Sequence, residues 1–463
     1  MEIPECPGCR ERDRRIAELE ARVLALETQL RDLLDRLKPP TPQTPMPLPS
    51  GPTKTPTGKK PGGQPGHPPH LKSWLPPERL SRVVTHVPTQ CGKCAAALPA
   101  SARPCDPPPT IHQVAELPPN FAEVTQHEGH TRTCPCCDAV NAQAIPAEIR
   151  ASTIGPRLLA FMSYLVGVQG VSKRSVEEIL ETAAGVPIAL GTIANAEREV
   201  CEALAAPYQE ARRAVADADV KGVDETGWKE AGKKRWLWVA ATMQAVVFRI
   251  HPRRSIEALK LLLGHLDGYF QSDRWGVYLE HLPSHRHQLC WAHLKRNWEK
   301  KAERGGRAKR LADRWFELHE KVFTLWRRFK NGEFDRERLL AKMNPHIAAL
   351  TELYGEGSRS RDGVLARFCV RLDAAVERHW LFVLEDGVEP TNNQAERVQR
   401  RAVLWRRRSF GCRSAEGCRF VERLLTVVET LKLQKRNVLD YLEQAVAAHR
   451  RHQPCPQLLA ASG

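Results

Sequence analysis

Val220-Lys-Gly-Val-Asp-Glu-Thr-Gly-Trp228 sets two neighbouring acids, Asp224 and Glu225, at the end of an apolar run. Val220–Asp224 reads as a β-strand, and Arg235–Thr242 and Ala245–Ile250 read as two more in close succession. Ser255–Leu263 has a helical pattern, Tyr269–Asp273 is a further strand and His287–Trp291 another. A run of strands followed by alternating helices predicts an α/β domain with a mixed sheet.

Two more acids belong with Asp224. Asp273 ends a strand in Gln271-Ser-Asp-Arg-Trp275, and Glu396 lies one turn into a helix that starts near Thr391 or Asn392. Strand-end carboxylates plus one from a helix can converge on two magnesium ions roughly 4 Å apart. Three carboxylates suffice, because magnesium takes hard oxygen ligands and keeps several waters. With 54 Asp/Glu in the chain, spacing alone leaves surface acids and helix caps as the stronger reading. Glu225 rivals Asp224, but side chains alternate along a strand, so the two cannot face one site if the strand persists.

Outward from this core, Pro156–Val168, Ser172–Ala184 and Gly191–Leu204 read as helices, the last two joined by a Gly/Pro turn in the manner of a helix-turn-helix. Residues 293–380 are helical and highly charged, and further helices run from about Asn392 to His449. Cys290 and His293, one helical turn apart, are metal-ligand types without a second pair in sequence, which favours a structural role. Cys91-Gly-Lys-Cys94 and Cys134-Pro-Cys-Cys137 are two C-x2-C knuckles, a donor set for one tetrahedral structural Zn2+. Cys136 is an alternative to Cys137, and Cys105 a spare. The length between the knuckles calls for a β-hairpin insert, and Arg82–Val87 and Ile111–Leu117 alternate like short strands. Cys6-Pro-Gly-Cys9 is a third knuckle, either idle or shared between two chains.

Ile16, Leu19, Val23, Leu26, Leu30, Leu33 and Leu37 repeat at alternating steps of three and four, the a/d pattern of a self-associating coiled coil. Twelve prolines between Pro39 and Pro69 make the following stretch an extended linker with no core of its own. The 463 residues carry a formal charge of +16, which suits a polyanionic partner better than a small neutral metabolite. Half of that excess falls between Glu396 and Arg436, with 12 Lys/Arg against four Asp/Glu. Arg397, Arg400, Arg401, Arg406, Arg407 and Arg408 lie on or beside the Glu396 helix and are candidate phosphate contacts; the alternative is a basic face paired with acids. No apolar run is long enough to span a membrane, and the first residues lack the apolar core of a signal peptide. A cytoplasmic, nucleoid-associated protein is expected, with its 14 cysteines reduced.

Several segments in order resemble the transposases of the insertion sequence 66 family, a branch of the DDE transposases with an RNase H-like core. They are Gly62-Gly-Gln-Pro-Gly-His67, the two knuckles, the helix-turn-helix-like segment, Val223-Asp-Glu-Thr226, Ser272-Asp273, Cys290-Trp-Ala-His-Leu-Lys-Arg296 and Asn392-Asn-Gln-Ala-Glu-Arg397. The resemblance implies that Asp224, Asp273 and Glu396 are the catalytic triad, holding two Mg2+ or Mn2+ ions. It implies cleavage of phosphodiester bonds at element ends and transfer of the 3′ ends into target DNA, with accessory proteins as possible companions. The implied layout is a coiled coil (1–38), linker (39–70), zinc module (71–150), helix-turn-helix-like segment (151–212), RNase H-like core (213–410) with a helical insertion at 300–385, and a basic C-terminal region (411–463). Similar proteins often carry a longer C-terminal tail, so a decayed copy is one alternative expectation. A zinc-containing DNA-binding protein without catalysis and a structure-specific nuclease are the others.

Overall fold

The structure, a computed structural model, describes residues 14–15, 18, 21–22, 74–101, 103, 106–118 and 121–459. The seven heptad positions, the Pro-rich linker with Gly62–His67, and Cys6, Cys9 and Cys105 lie outside the described residues. The chain divides into two units, Met1–Ala115 and Glu116–Gly463, so one knuckle falls in each.

Tight turns organise both knuckles. Cys91 N–H donates to Ala96 O and Ala95 N–H to Cys91 O, both at 2.9 Å. Cys134 N–H donates to Ala139 O (2.9 Å) and Asp138 N–H to Cys134 O (3.0 Å), repeating the pattern. Ala95 and Asp138 occupy the same left-handed position, at φ 58° and 56°. The second knuckle is the turn of an antiparallel hairpin, β1 (Thr131–Thr133) with β2 (Val140–Ala142). The hairpin thus carries a knuckle rather than filling the space between the two. Arg82–Val87 and Ile111–Leu117 join no ladder, and their apolar side chains stay in solvent, so alternation there had no sheet to serve.

Helices α1 (Pro156–Gly167), α2 (Lys173–Ala184), α3 (Leu190–Ala203) and α4 (Ala205–Asp217) follow. Ser172 caps α2 by accepting Ser175 N–H, and Gly185 ends it at φ 65°, a backbone angle that a side chain disfavours. Next come β3 (Val220–Glu230), β4 (Lys233–Ala241), β5 (Val246–His251), α5 (Ile256–Leu263), β6 (Tyr269–Ser272), α6 (Gly276–His281) and β7 (His287–Leu289). The strand order is β5-β4-β3-β6-β7, with β3, β4 and β5 antiparallel and β6 and β7 parallel to β3. The mixed sheet agrees with the sequence reading, but two strand ends differ. β3 runs on past Asp224 to Glu230, because Ala231-Gly232 (φ 47° and 76°) closes a two-residue hairpin to Lys233. β7 stops at Leu289, because Trp291 already opens α7 (Trp291–Ala302).

Alternation along the strands divides the core. Leu237, Val239 and Phe248 join Leu159, Leu180, Val200, Trp405 and Leu424 on one face. Val223, Trp238 and Val247 join Leu259, Phe270 and Tyr278 on the other. Between β7 and the final helices, α8 (Gly306–Lys330), α9 (Arg336–Ser358), α10 (Gly363–Asp373) and α11 (Leu381–Leu384) build a separate aromatic core around Trp291, Trp298, Trp315, Tyr354 and Phe368. The chain then returns to the sheet through α12 (Asn393–Ser409), α13 (Ala415–Leu433) and α14 (Val438–Arg450). Among the described residues no helix is long and apolar enough to cross a membrane.

Candidate active site

Strand register brings the two aspartates near each other. Gly222 pairs with Gln271 across the parallel β3–β6 ladder. Asp224 and Asp273 each lie two residues beyond that pair, so the chains deliver them to the same level of the sheet, near enough for the Asp273 charge to raise the Asp224 carboxyl. Asp273 leaves the strand in a turn, where its Oδ1 accepts Trp275 N–H at 2.9 Å.

Glu396 arrives from α12, and Gly222 lets it approach. A β-carbon at Gly222 would stand 2.3 Å from Asn392 Oδ1 and 3.4 Å from Ala395 Cβ, so only glycine admits the helix this close. Asn392 holds the helix start down by donating Nδ2–H to Val223 O at 2.8 Å. It makes no side-chain cap bond: its Nδ2 is turned to β3, and its Oδ1, the atom a cap would use, is buried without a partner. Cys290 ties the remaining ends together. Its N–H donates to Ser272 O (2.9 Å), and its Sγ accepts Asn392 N–H (3.2 Å). Trp291 N–H donates to Pro390 O at 2.9 Å.

The persistent strand separates the neighbouring acids. Glu225 faces the Tyr278 side, accepting Arg254 Nε–H at 2.7 Å and the Tyr278 hydroxyl. Asp224 faces α12 and pairs with no cation among the described residues. Gln399, with its amide turned to satisfy both neighbours, donates to Asp224 Oδ2 at 2.9 Å and accepts Thr226 N–H at 3.3 Å. Burial first, then the charges of Glu225, Asp273 and Glu396, push the Asp224 carboxyl well above the ordinary carboxylate range. Burial also raises Glu225, against the opposing pull of Tyr278 and Arg254. Glu396 lies 3.1 Å from Arg296 Nη2 and 3.2 Å from His293 Nδ1. His293, Arg296, Asn392 and Gln399 were not assigned to the acids by sequence reading; only their short-range spacing along two helices hinted at it.

The six arginines of α12 divide by face. Arg401 bonds Glu429 (2.6 Å) and Val168 O (2.9 Å). Arg406 bonds Thr226 and Gly227, and Arg408 bonds Gln169 O. Arg397, Arg400 and Arg407 are exposed and have no partner among the described residues. They share one stripe with Leu404, which is 49% exposed. In the knuckles, backbone amides of Lys93 and Cys94 lower the Cys91 thiol, and those of Cys136 and Cys137 lower Cys134.

With this geometry in view, residues 151–419 match the profile described as "Transposase IS66 family", more than half of the chain. The chain belongs to the IS66 transposase family. The match spans α1–α4, the sheet, the helical insertion and α12, and so includes all three acids. A curated relative, the uncharacterized protein y4qI of Sinorhizobium fredii, is 24% identical over 255 residues, 49% of this chain and 46% of that protein. The chain therefore spans under half the length of that relative.

Proposed function

We propose that this IS66 family member is a DNA transposase that binds the ends of its element, cleaves phosphodiester bonds there and joins the 3′ ends to target DNA. The reading takes the mixed five-stranded sheet as an RNase H-like core, with residues 300–385 inserted before the last catalytic helix. One contrast on β3 carries it. Glu225 is already neutralised by Arg254 and Tyr278, whereas Asp224 faces carboxylates and a neutral amide. The carboxylate oxygens of Asp224 and Asp273, which pair with no cation among the described residues, are hard donors that fit divalent magnesium or manganese, and Glu396, held by Arg296, lies near enough to raise the Asp224 carboxyl. Asp224, Asp273 and Glu396 would hold the ions, which supply nucleophile activation and leaving-oxygen stabilisation when bound. The chain's own part is positioning. Gln399 fixes the Asp224 carboxylate, the Asp273 turn holds the second, and the Asn392 clamp sets the height of Glu396.

By donor chemistry each knuckle offers two thiolates of the kind that structural zinc takes. Their turns are equivalent, and that equivalence matches Cys134 to Cys91 and Cys137 to Cys94, favouring Cys137 over Cys136 as ligand. The α2–α3 pair and the exposed Arg397, Arg400 and Arg407 supply DNA contacts, and the heptads pair two chains on the two ends of the element.

The test is magnesium-dependent cleavage and strand transfer on DNA carrying the element ends, with any companion proteins present. Asp224→Asn, Asp273→Asn and Glu396→Gln are each expected to lower the rate by at least about a thousandfold while DNA binding persists. Activity surviving in one variant removes that residue from the triad. An inactive wild type that still binds the ends would favour the binding-only alternative.

A further inference from the structure

Cys290 and His293 remain outside the chemistry assigned so far. They sit on the first turn of α7 at i and i+3, which brings both to one face. The sulfur of Cys290, a ring nitrogen of His293 and a carboxylate oxygen of Glu396 all lie within 4.8 Å of one another. This is the one group of three or more metal-ligand residues so disposed among the described residues. His293 Nδ1 is buried without a hydrogen bond of its own, although Glu396 Oε1 is 3.2 Å away. A nitrogen and a carboxylate oxygen at that separation can share a proton or a metal ion, and the neighbouring Cys290 sulfur favours the metal.

We propose that Cys290, His293 and Glu396 form a zinc site that competes with the hard-metal centre for Glu396, so that free zinc holds the enzyme off. Tetrahedral zinc with one sulfur, one nitrogen and one oxygen needs ligand atoms roughly 3.5 Å apart, a spacing His293 Nδ1 and Glu396 Oε1 already approach at 3.2 Å. Three protein ligands leave the fourth position to water. The donor set selects the metal: a thiolate and an imidazole suit zinc and repel neither charge nor softness, whereas magnesium favours oxygen. Binding displaces the Cys290 thiol proton to solvent. Entry is open, since the side chains of His293 and Glu396 are 25% and 30% exposed. Arg296 touches both oxygens of Glu396 and can keep one when the other turns to zinc. The binding claim stands on these three side chains alone, and its effect on activity rests on the catalytic role proposed for Glu396.

The experiment is zinc content of the full-length protein after equilibrium dialysis, compared for wild type, Cys290→Ser and His293→Gln. Each variant is expected to lose one zinc equivalent and to retain the knuckle zinc. Serine keeps an acceptor for Asn392 N–H, and His293→Gln serves if the serine variant fails to fold. Added zinc at fixed magnesium is then expected to lower wild-type activity at least tenfold more than it lowers either variant's, each scaled to its own zinc-free rate. Equal zinc content in wild type and both variants overturns the proposal. Because zinc content is read without DNA, a wild type that never cleaves would sink the transposase reading and leave this count decisive.

Discussion

Between Trp74 and Arg150 no described side chain is buried, and Val83, Val114 and Val124 stand 74%, 81% and 80% exposed. From Leu159 onward three apolar cores take up nearly every large hydrophobic residue. A fully buried Leu or Phe contributes about 1.5–3 kcal/mol, so the second region is stabilised by packing many times over. The first has no such source. What it has is the same thiol-bearing turn built twice, and small modules without a core depend on metal or cross-links. Burial shapes one region, and the zinc proposed above would shape the other.

The sharpest way to break this comparison is to withhold the zinc proposed for the first region. A structural zinc ion contributes on the order of 10 kcal/mol to the module it holds. Chelation is expected to abolish hydrogen-exchange protection of the Thr131–Ala142 hairpin and of the Cys91–Ala96 turn, and Cys134→Ser that of the hairpin. Protection of β3 to β5 and the main thermal transition should stay unchanged. If the hairpin amides remain protected without zinc, local turns hold the first region and the contrast fails.

The same contrast governs what could be read from sequence. Periodicity found α1 to α3 and most of the sheet, because those elements bury one face and residue pattern records burial. It misjudged Arg82–Val87 and Ile111–Leu117, whose alternation serves no core. It ended β3 at Asp224, because Ala231 is an unusual residue for a left-handed hairpin turn. The three acids could be proposed from motif order and their separation from strand alternation, but which neighbour is neutralised needed Arg254 and Tyr278, one of them 53 residues from Glu225. The Gly222–Asn392 approach joins positions too far apart in sequence for any local pattern to record.

Within the packed region, Gly222 offers the next largest effect. Gly222→Ala forces its new methyl against the buried Asn392, whose amide is already committed to Val223 O. Overpacking of this kind costs about 1–3 kcal/mol, and thermal unfolding should register it as a lowered Tm. Because the displaced element is the start of α12, strand transfer should fall by more than the stability loss explains, with DNA binding little changed. A variant with normal Tm and activity would mean that α12 has slack at this point, and that Glu396 is not positioned by the clamp.

The smallest effects on stability are expected at the exposed arginines of α12, and there the same helix tests both halves of the argument. Arg401→Ala removes bonds to the buried Glu429 and to Val168 O, and should cost about 1–3 kcal/mol in unfolding free energy. Arg397→Ala, Arg400→Ala and Arg407→Ala remove nothing the protein uses, so their Tm should stay near wild type. If these side chains meet phosphates, each substitution should instead lower DNA affinity and reduce the slope of log affinity against log salt by about one. Arg401→Ala should leave that slope alone. Equal slopes for all four variants would assign the free stripe to solvent, since a cation without a protein partner is available for DNA but not thereby committed to it.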